Sequence, residues 1–198
     1  MQPIPLSPLD DAGQCISDSA LDTADIIVSA GQGIVAGTIR LATTSDISHA
    51  SLYDGDGGVI EAVGEGVRQV SLEKALEGHT LAVAYRVRGM TDTLADSVVG
   101  IASSWLNKKY DTLGAAGAGA RNPVVCVYAF GIAACPVALA GGFKSSDKFY
   151  CSQLVLEAYR RAGVPFISQN PKTSQPQDLV NAYSHGKLLY VGHLVIAD

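Results

Sequence analysis

One stretch, Asp147 to Pro165, constrains the fold more than any other, because its ends carry helix signals and its middle carries helix periodicity. Ser146 or Asp147 can cap the amino end, Arg160 and Arg161 occupy the last turn, and Gly163 followed by Pro165 stops the helix. Leu154, Val155, Ala158 and Ala162 recur at helical spacing and define a buried face. Cys151 lies on that face in the first turn. There the unpaired N–H groups and the positive end of the helix dipole favour a thiolate over a thiol. Taken alone, the helix favours the plainer reading of a small cysteine filling a core gap. A histidine in suitable company elsewhere shifts the balance.

The company is found upstream. Ala24 to Val28 is an apolar run that ends at Ser29-Ala-Gly-Gln-Gly33, a buried strand and a turn, and Ile34 to Leu41 can form a short helix. Ile47 to Tyr53 and Val59 to Val63 are then joined by Asp54-Gly-Asp-Gly-Gly58, which spells a β-hairpin. Folding the hairpin about Asp56 puts odd-numbered residues on one face, so His49 and Glu61 become opposite or diagonal neighbours. A carboxylate there can hold an imidazole N–H. A slip of one residue would break the alignment and leave an ordinary surface hairpin.

Val67 to Val70 and Leu81 to Val87 supply further strands, with a helical turn from Ser71 to Leu76 between them. His79 follows Gly78 and reads as a solvated loop residue. Thr93 to Leu106 is an amphipathic helix that runs into Asn107-Lys-Lys-Tyr-Asp111. From Thr112 to Phe143 the only charge is Arg121, and the charge-free run from Val124 to Phe143 reaches the ~20 residues that span a bilayer. Pro136, three interrupting glycines and weak hydrophobicity argue against spanning. The expectation is a buried or lid-like helical insertion at about 112–143, with membrane contact as the alternative. Ser174, with Gln177 three residues on, marks a further helix start, and Lys187 to Ile196 closes the chain as one long strand or a strand pair.

Composition narrows the classes. A chain of 198 residues suits one domain, expected over 23–198 behind a loosely held lead-in at 1–22. With 17% charged residues, a net charge of −5 and no basic stripe, a nucleic-acid partner is not expected. Cys15, Cys126, Cys135 and Cys151 show no metal-ligand spacing, and His49, His79, His185 and His193 are scattered, so neither metal nor cofactor is expected. The amino-terminal residues carry no classical signal-peptide pattern.

A cysteine hydrolase needs a thiolate, an imidazole to pair with it, a polar group to orient the imidazole, and donors for a developing oxyanion. All are available here in the order His49, Glu61, Cys151, with the Cys151 backbone N–H as one oxyanion donor and Ser48, Tyr53 and Tyr110 as candidates to assist. At this point the chain resembles the permuted papain-fold amidases of the NlpC-like superfamily, in particular the YiiX/YaeF-like branch. The resemblance rests on Ala24-Asp25-Ile26-Ile27, Ser48-His49-Ala50, Val59-Ile60-Glu61-Ala62, Lys109-Tyr110-Asp111 and Phe149-Tyr150-Cys151-Ser152-Gln153-Leu154-Val155, taken in that order. It runs from about Ala24 to the end. Two departures stand out: Ala24 where the family usually has glycine, and a longer, more apolar segment ahead of the nucleophile.

The resemblance implies an α+β papain-like domain, an antiparallel sheet packed against the nucleophile helix, and a bacterial source. It also implies cleavage of peptide stems or cross-links in peptidoglycan. It extends to amidase effectors of type VI secretion, which act in the periplasm and have inhibitor (immunity) proteins as partners. Relatives similar to lecithin:retinol acyltransferase supply the alternative, lipid acyl transfer or hydrolysis with the apolar segment as acyl groove or membrane contact. A non-enzymatic binding domain with a relic triad is the third reading.

Overall fold

The computed structural model describes residues 14–31, 47–110 and 148–195. Its centre is a seven-stranded sheet. The strands are β1 (Cys15–Ile16), β2 (Ile26–Gly31), β3 (His49–Tyr53), β4 (Gly58–Val63), β5 (Gly66–Ser71), β6 (His79–Val87) and, late in the chain, β9 (Leu188–Leu194). They lie in the order β1-β9-β6-β2-β3-β4-β5. Every neighbouring pair is antiparallel except β1 with β9, which run parallel. Two short strands, β7 (Lys109–Tyr110) and β8 (Lys148–Phe149), pair separately. The helices are α1 (Leu72–Leu76), α2 (Asp92–Ser103), α3 (Cys151–Arg161) and α4 (Pro176–Ser184). The fold is therefore mixed α+β, with four α-helices among the described residues.

Strand alternation builds two cores. Ile26 and Val28 of β2, Ala50 and Leu52 of β3, and Ile60 and Ala62 of β4 pack with Leu154, Val155 and Ala158 of α3. Ile27, Tyr53 and Val59, each adjacent to one of these strand residues and so on the opposite face, join a second cluster with Leu72, Ala75 and Leu76 of α1. The helix that carries Cys151 thus lies on β3 and β4, beside α2. The hairpin registers as its turn chemistry dictates. Asp54 Oδ1 accepts from the N–H groups of Asp56 (2.8 Å) and Gly58 (2.9 Å), and Ser51 comes to lie opposite Glu61.

Several boundaries differ from the sequence expectation. The end of the segment read as a loose lead-in is held: Cys15 and Ile16 pair with His193 and Leu194, because β9 otherwise presents an unpaired edge. The closing segment is one strand, and α4 takes Gln175 rather than Ser174 as its cap. There the Asp178 carboxylate accepts from the Gln175 N–H at 2.7 Å, while Ser174 is fully buried under the preceding 3-10 turn. The expected helix at Ile34–Leu41, the apolar segment at 112–143 and its two cysteines lie outside the described residues. Among the described residues, no helix is long and apolar enough to cross a membrane.

Candidate active site

The helix that carries Cys151 begins later than its flanking cap signals predict. Lys148 and Phe149 are extended and pair with Lys109 and Tyr110, so they cannot enter the helix, and Tyr150 becomes the N-cap. Cys151 is consequently the first helical residue. Three contacts hold it there. Phe149 stacks on Trp105 with ring centroids 4.5 Å apart. The Tyr150 hydroxyl donates to the Pro171 carbonyl at 2.9 Å, and the Ser152 hydroxyl to the Ser174 carbonyl at 3.1 Å. Both hydroxyls are buried, so the loop at 171–174 fixes the first turn from one side while Trp105 fixes it from the other. Tyr150 supplies no side-chain cap, which leaves the first-turn N–H groups without that competitor.

His49 opens β3 as Cys151 opens α3, and the two meet within hydrogen-bonding reach at the rim of the sheet. The β3–β4 register makes His49 a diagonal neighbour of Glu61, and the His49 Nε2–H donates to Glu61 Oε2 at 2.7 Å. With Nε2 so engaged, Nδ1 is the ring nitrogen left for the sulfur. Glu61 is 1% exposed, and its other oxygen accepts from Arg68 Nε (2.9 Å) and Nη2 (2.8 Å). Arg68 stands directly opposite Glu61 on β5.

The charges follow from this geometry. Burial alone would raise the Glu61 pKa, but the hydrogen bond and charge of His49, then those of Arg68, hold the carboxyl below its ordinary value. Burial would likewise strip the proton from His49. Hydrogen bonds and charge interactions with Cys151 and Glu61 overcome it and push the imidazole pKa up to about 10. The ring is therefore a cation at neutral pH, clamped between a carboxylate and a cysteine sulfur.

The other candidates are placed differently. Ser48 precedes His49, but its hydroxyl oxygen accepts from the Gly31 N–H at 3.2 Å and ties β3 to the end of β2. Tyr53 is not brought to the site. It ends β3, about 13 Å from His49 at the usual strand rise, and its hydroxyl accepts from the Gly57 N–H at 3.1 Å. Tyr110 lies on β7 opposite Phe149, the residue that leads through Tyr150 into Cys151. His79 departs from its reading as a solvated loop residue. It is the half-buried first residue of β6, aligned with Gly31, and its ring centroid lies 6.3 Å from that of His49. Burial, then the positive charge on His49, lowers its pKa.

Sequence reasoning missed Arg68 and His79 as parts of this cluster. The signal for Arg68 was present: pairing Val59–Val63 with Val67–Val70 across the Gly64–Glu65 turn sets an arginine opposite Glu61. For His79 no such local signal exists, since its neighbourhood arises from strand order and a register shift in β2–β6.

No family model matches the chain. It is 29% identical over 198 residues to Probable lipoprotein peptidase YaeF of Escherichia coli (strain K12), an alignment covering 88% of this chain and 71% of that protein. Its structure is similar to the crystal structure of metalloprotein YiiX from Escherichia coli O157:H7, with a TM-score of 0.54, 22% identity and 88% of each chain covered. The second likeness is one of fold.

Proposed function

We propose that this protein is a cysteine hydrolase that cleaves amide bonds, with Cys151 as nucleophile, His49 as its acid–base partner and Glu61 as the group that orients and charges His49. The observation that carries this reading is the buried chain of contacts from Cys151 through His49 to Glu61, set at the first turn of a helix. The peptidase name of the 29% identical relative supports the same reaction class. The order histidine, glutamate, cysteine along the chain is that of the permuted papain-like amidases it resembles, and we read the domain in that way.

Each residue has a distinct step. A sulfur electron pair forms the S–C bond to the substrate carbonyl as the C=O π pair moves onto oxygen, where the Cys151 backbone N–H stabilises it. The oxyanion then collapses, the C–N bond breaks, and His49 delivers its Nδ1 proton to the departing amine. Water attacks the resulting thioester, gives a proton back to His49, and the S–C bond breaks to release the acid. Glu61 keeps the ring in the orientation and charge state that both halves need, and Arg68 keeps Glu61 ionised.

The fold-level neighbour is named a metalloprotein, which raises a metal centre as a question for this chain. The described residues do not fit one. Among the described residues no group of three or more His, Cys, Asp or Glu is arranged to hold an ion, and both Glu61 oxygens are engaged by His49 and Arg68.

The substrate we propose is the peptide of bacterial peptidoglycan, and a secreted antibacterial role opposed by an inhibitor protein belongs to the same proposal. Incubation with purified peptidoglycan and, separately, with phospholipid vesicles tests it, with products identified by mass spectrometry. Peptide fragments that disappear with Cys151→Ala and His49→Ala, each by about 1,000-fold or more, are the expected result. Released fatty acid in place of peptide would transfer the same dyad to lipid acyl chemistry. Turnover that survives Cys151→Ala would remove the site altogether.

A further inference from the structure

Beyond Gly163 the chain turns back along α3, and the return leaves a gap. Phe166 meets Tyr159 edge to face, with ring centroids 5.1 Å apart at 87°. Pro171 reaches the start of the helix, where its carbonyl accepts from the Tyr150 hydroxyl. These residues bound a cavity of about 190 Å³, walled among the described residues by Leu156, Tyr159, Pro165, Phe166, Ile167 and Pro171.

Size and lining narrow what the cavity can take. An apolar cavity of about 150 Å³ stays dry and accepts benzene or xenon, because water there finds no polar partners. Here the polar side chains on the wall are mostly engaged elsewhere. The Tyr159 hydroxyl donates to the Ala24 carbonyl, so that residue presents only its ring. Arg160 is held by both oxygens of Glu157, through Nε at 2.8 Å and Nη2 at 2.6 Å, and Gln169 Nε2 donates to Asp178 Oδ2 at 2.9 Å. Only the exposed Ser168 hydroxyl is left unengaged among the lining side chains. A charged ligand would lose water without gaining a free counter-charge, so the fitting ligand is uncharged.

The cavity also touches the Cys151 turn. The Pro171 carbonyl accepts from the Tyr150 hydroxyl at 2.9 Å and from the Ser174 hydroxyl at 2.8 Å. The Ser174 carbonyl in turn accepts from the Ser152 hydroxyl at 3.1 Å. Tyr150 and Ser152 flank Cys151, so one wall of the cavity belongs to the clamp on the first turn of α3.

We propose that this cavity binds a small uncharged apolar group, the size of a single aromatic ring, and that its occupant regulates Cys151 by holding Pro171 against Tyr150. Binding stands independently of the hydrolase reading, whereas the consequence for Cys151 as nucleophile rests on it.

Benzene is the probe, and thermal unfolding and alkylation are the readouts. At about five times its Kd, benzene is expected to raise the Tm of the full chain by about 2–4 °C. Ile167→Trp fills the cavity from its half-buried wall and should abolish the rise; Ile167→Phe provides the same comparison with a smaller side chain should the tryptophan prevent folding. The iodoacetamide rate, followed on the Cys151 peptide by mass spectrometry, should increase about fivefold in benzene. Tyr150→Phe cuts the link to Pro171 and should keep the Tm rise while losing the rate increase. An unchanged wild-type Tm would overturn the site, and so would a rise that persists in the folded Ile167 variants. A Tm rise with no change in the Cys151 rate would overturn the regulation and leave the hydrolase reading intact. A Cys151 that iodoacetamide never modifies would overturn the hydrolase reading and the regulation together, with the Tm rise still deciding the site.

Discussion

Glu61 is the residue on which the site's electrostatics turn. It is buried, it is ionised, and it has two cationic partners, His49 and Arg68. Removing one partner of such a cluster leaves the others underpaired, which is why the carboxylate matters more than its distance from the reacting atoms suggests. Because His49 is held protonated up to about pH 10, turnover should persist on the alkaline side until the imidazolium is lost there. Glu61→Gln removes the negative charge and should move that alkaline limb down towards the ordinary histidine range. It should also slow turnover less severely than His49→Ala, since the ring keeps a neutral acceptor. Arg68→Met should shift the limb in the same direction by a smaller amount, because its effect passes through Glu61. A pH–rate profile of all three variants checks the ranking, and an alkaline limb that is unmoved in Glu61→Gln would sever the link between carboxylate and imidazole.

At the scale of elements, α3 carries Cys151 at its start, and both of its ends are tied. The amino end is fixed by Phe149 on Trp105 and by the Tyr150 and Ser152 hydroxyls. The carboxyl end closes in a Schellman motif: Val164 N–H bonds the Tyr159 carbonyl at 3.0 Å and Gly163 N–H the Arg160 carbonyl at 3.2 Å. Gly163 has φ +80°, a conformation that costs a side-chain-bearing residue about 1–2 kcal/mol. Gly163→Ala should therefore lower Tm by roughly 2–8 °C in thermal unfolding while leaving the substrate preference unchanged. Between the ends, the buried Tyr159 hydroxyl donates to the Ala24 carbonyl and fastens the helix to the start of β2. Tyr159→Phe leaves that carbonyl unpaired, and a loss of about 1–2 kcal/mol in chemical denaturation is expected. Ala24 itself sits at φ +68°, in the left-handed region that favours glycine.

For the whole molecule, the same clamp links activity to stability. His49 has its pKa raised from an ordinary 6.5 to about 10 in the folded protein. The folded state therefore binds a proton that the unfolded chain releases. Its stabilising contribution is fully present below about pH 6.5 and is lost as pH rises from there through 10. Glu61 acts in the opposite sense: its pKa is lowered, so its contribution is present above the ordinary glutamate range and is lost as the solution is acidified. Tm measured against pH should fall across the alkaline window, and His49→Gln should flatten that limb. A wild-type Tm that is constant between pH 7 and 10 would contradict the clamp. The rest of the molecule supports it passively, since the sheet order sets β3 between β2 and β4 and gives the hairpin no freedom to slip.

The division between sequence and tertiary structure follows the range of the interactions. Sequence determined what local chemistry determines. The Asp/Gly-rich turn centres the hairpin on Asp56 and makes His49 and Glu61 diagonal neighbours, and the apolar spacing with Gly163 marks the body and end of α3. It also placed most strands, because their residues alternate between two buried faces. Tertiary structure decided where α3 begins, since only the pairing of β8 with β7 excludes Lys148 and Phe149 from the helix and makes Cys151 its first residue. It alone sent Tyr53 away from the site and brought His79 towards it. Those placements depend on which strands become neighbours and on a register shift between β2 and β6, and long-range pairings of that kind leave no periodic trace in the chain.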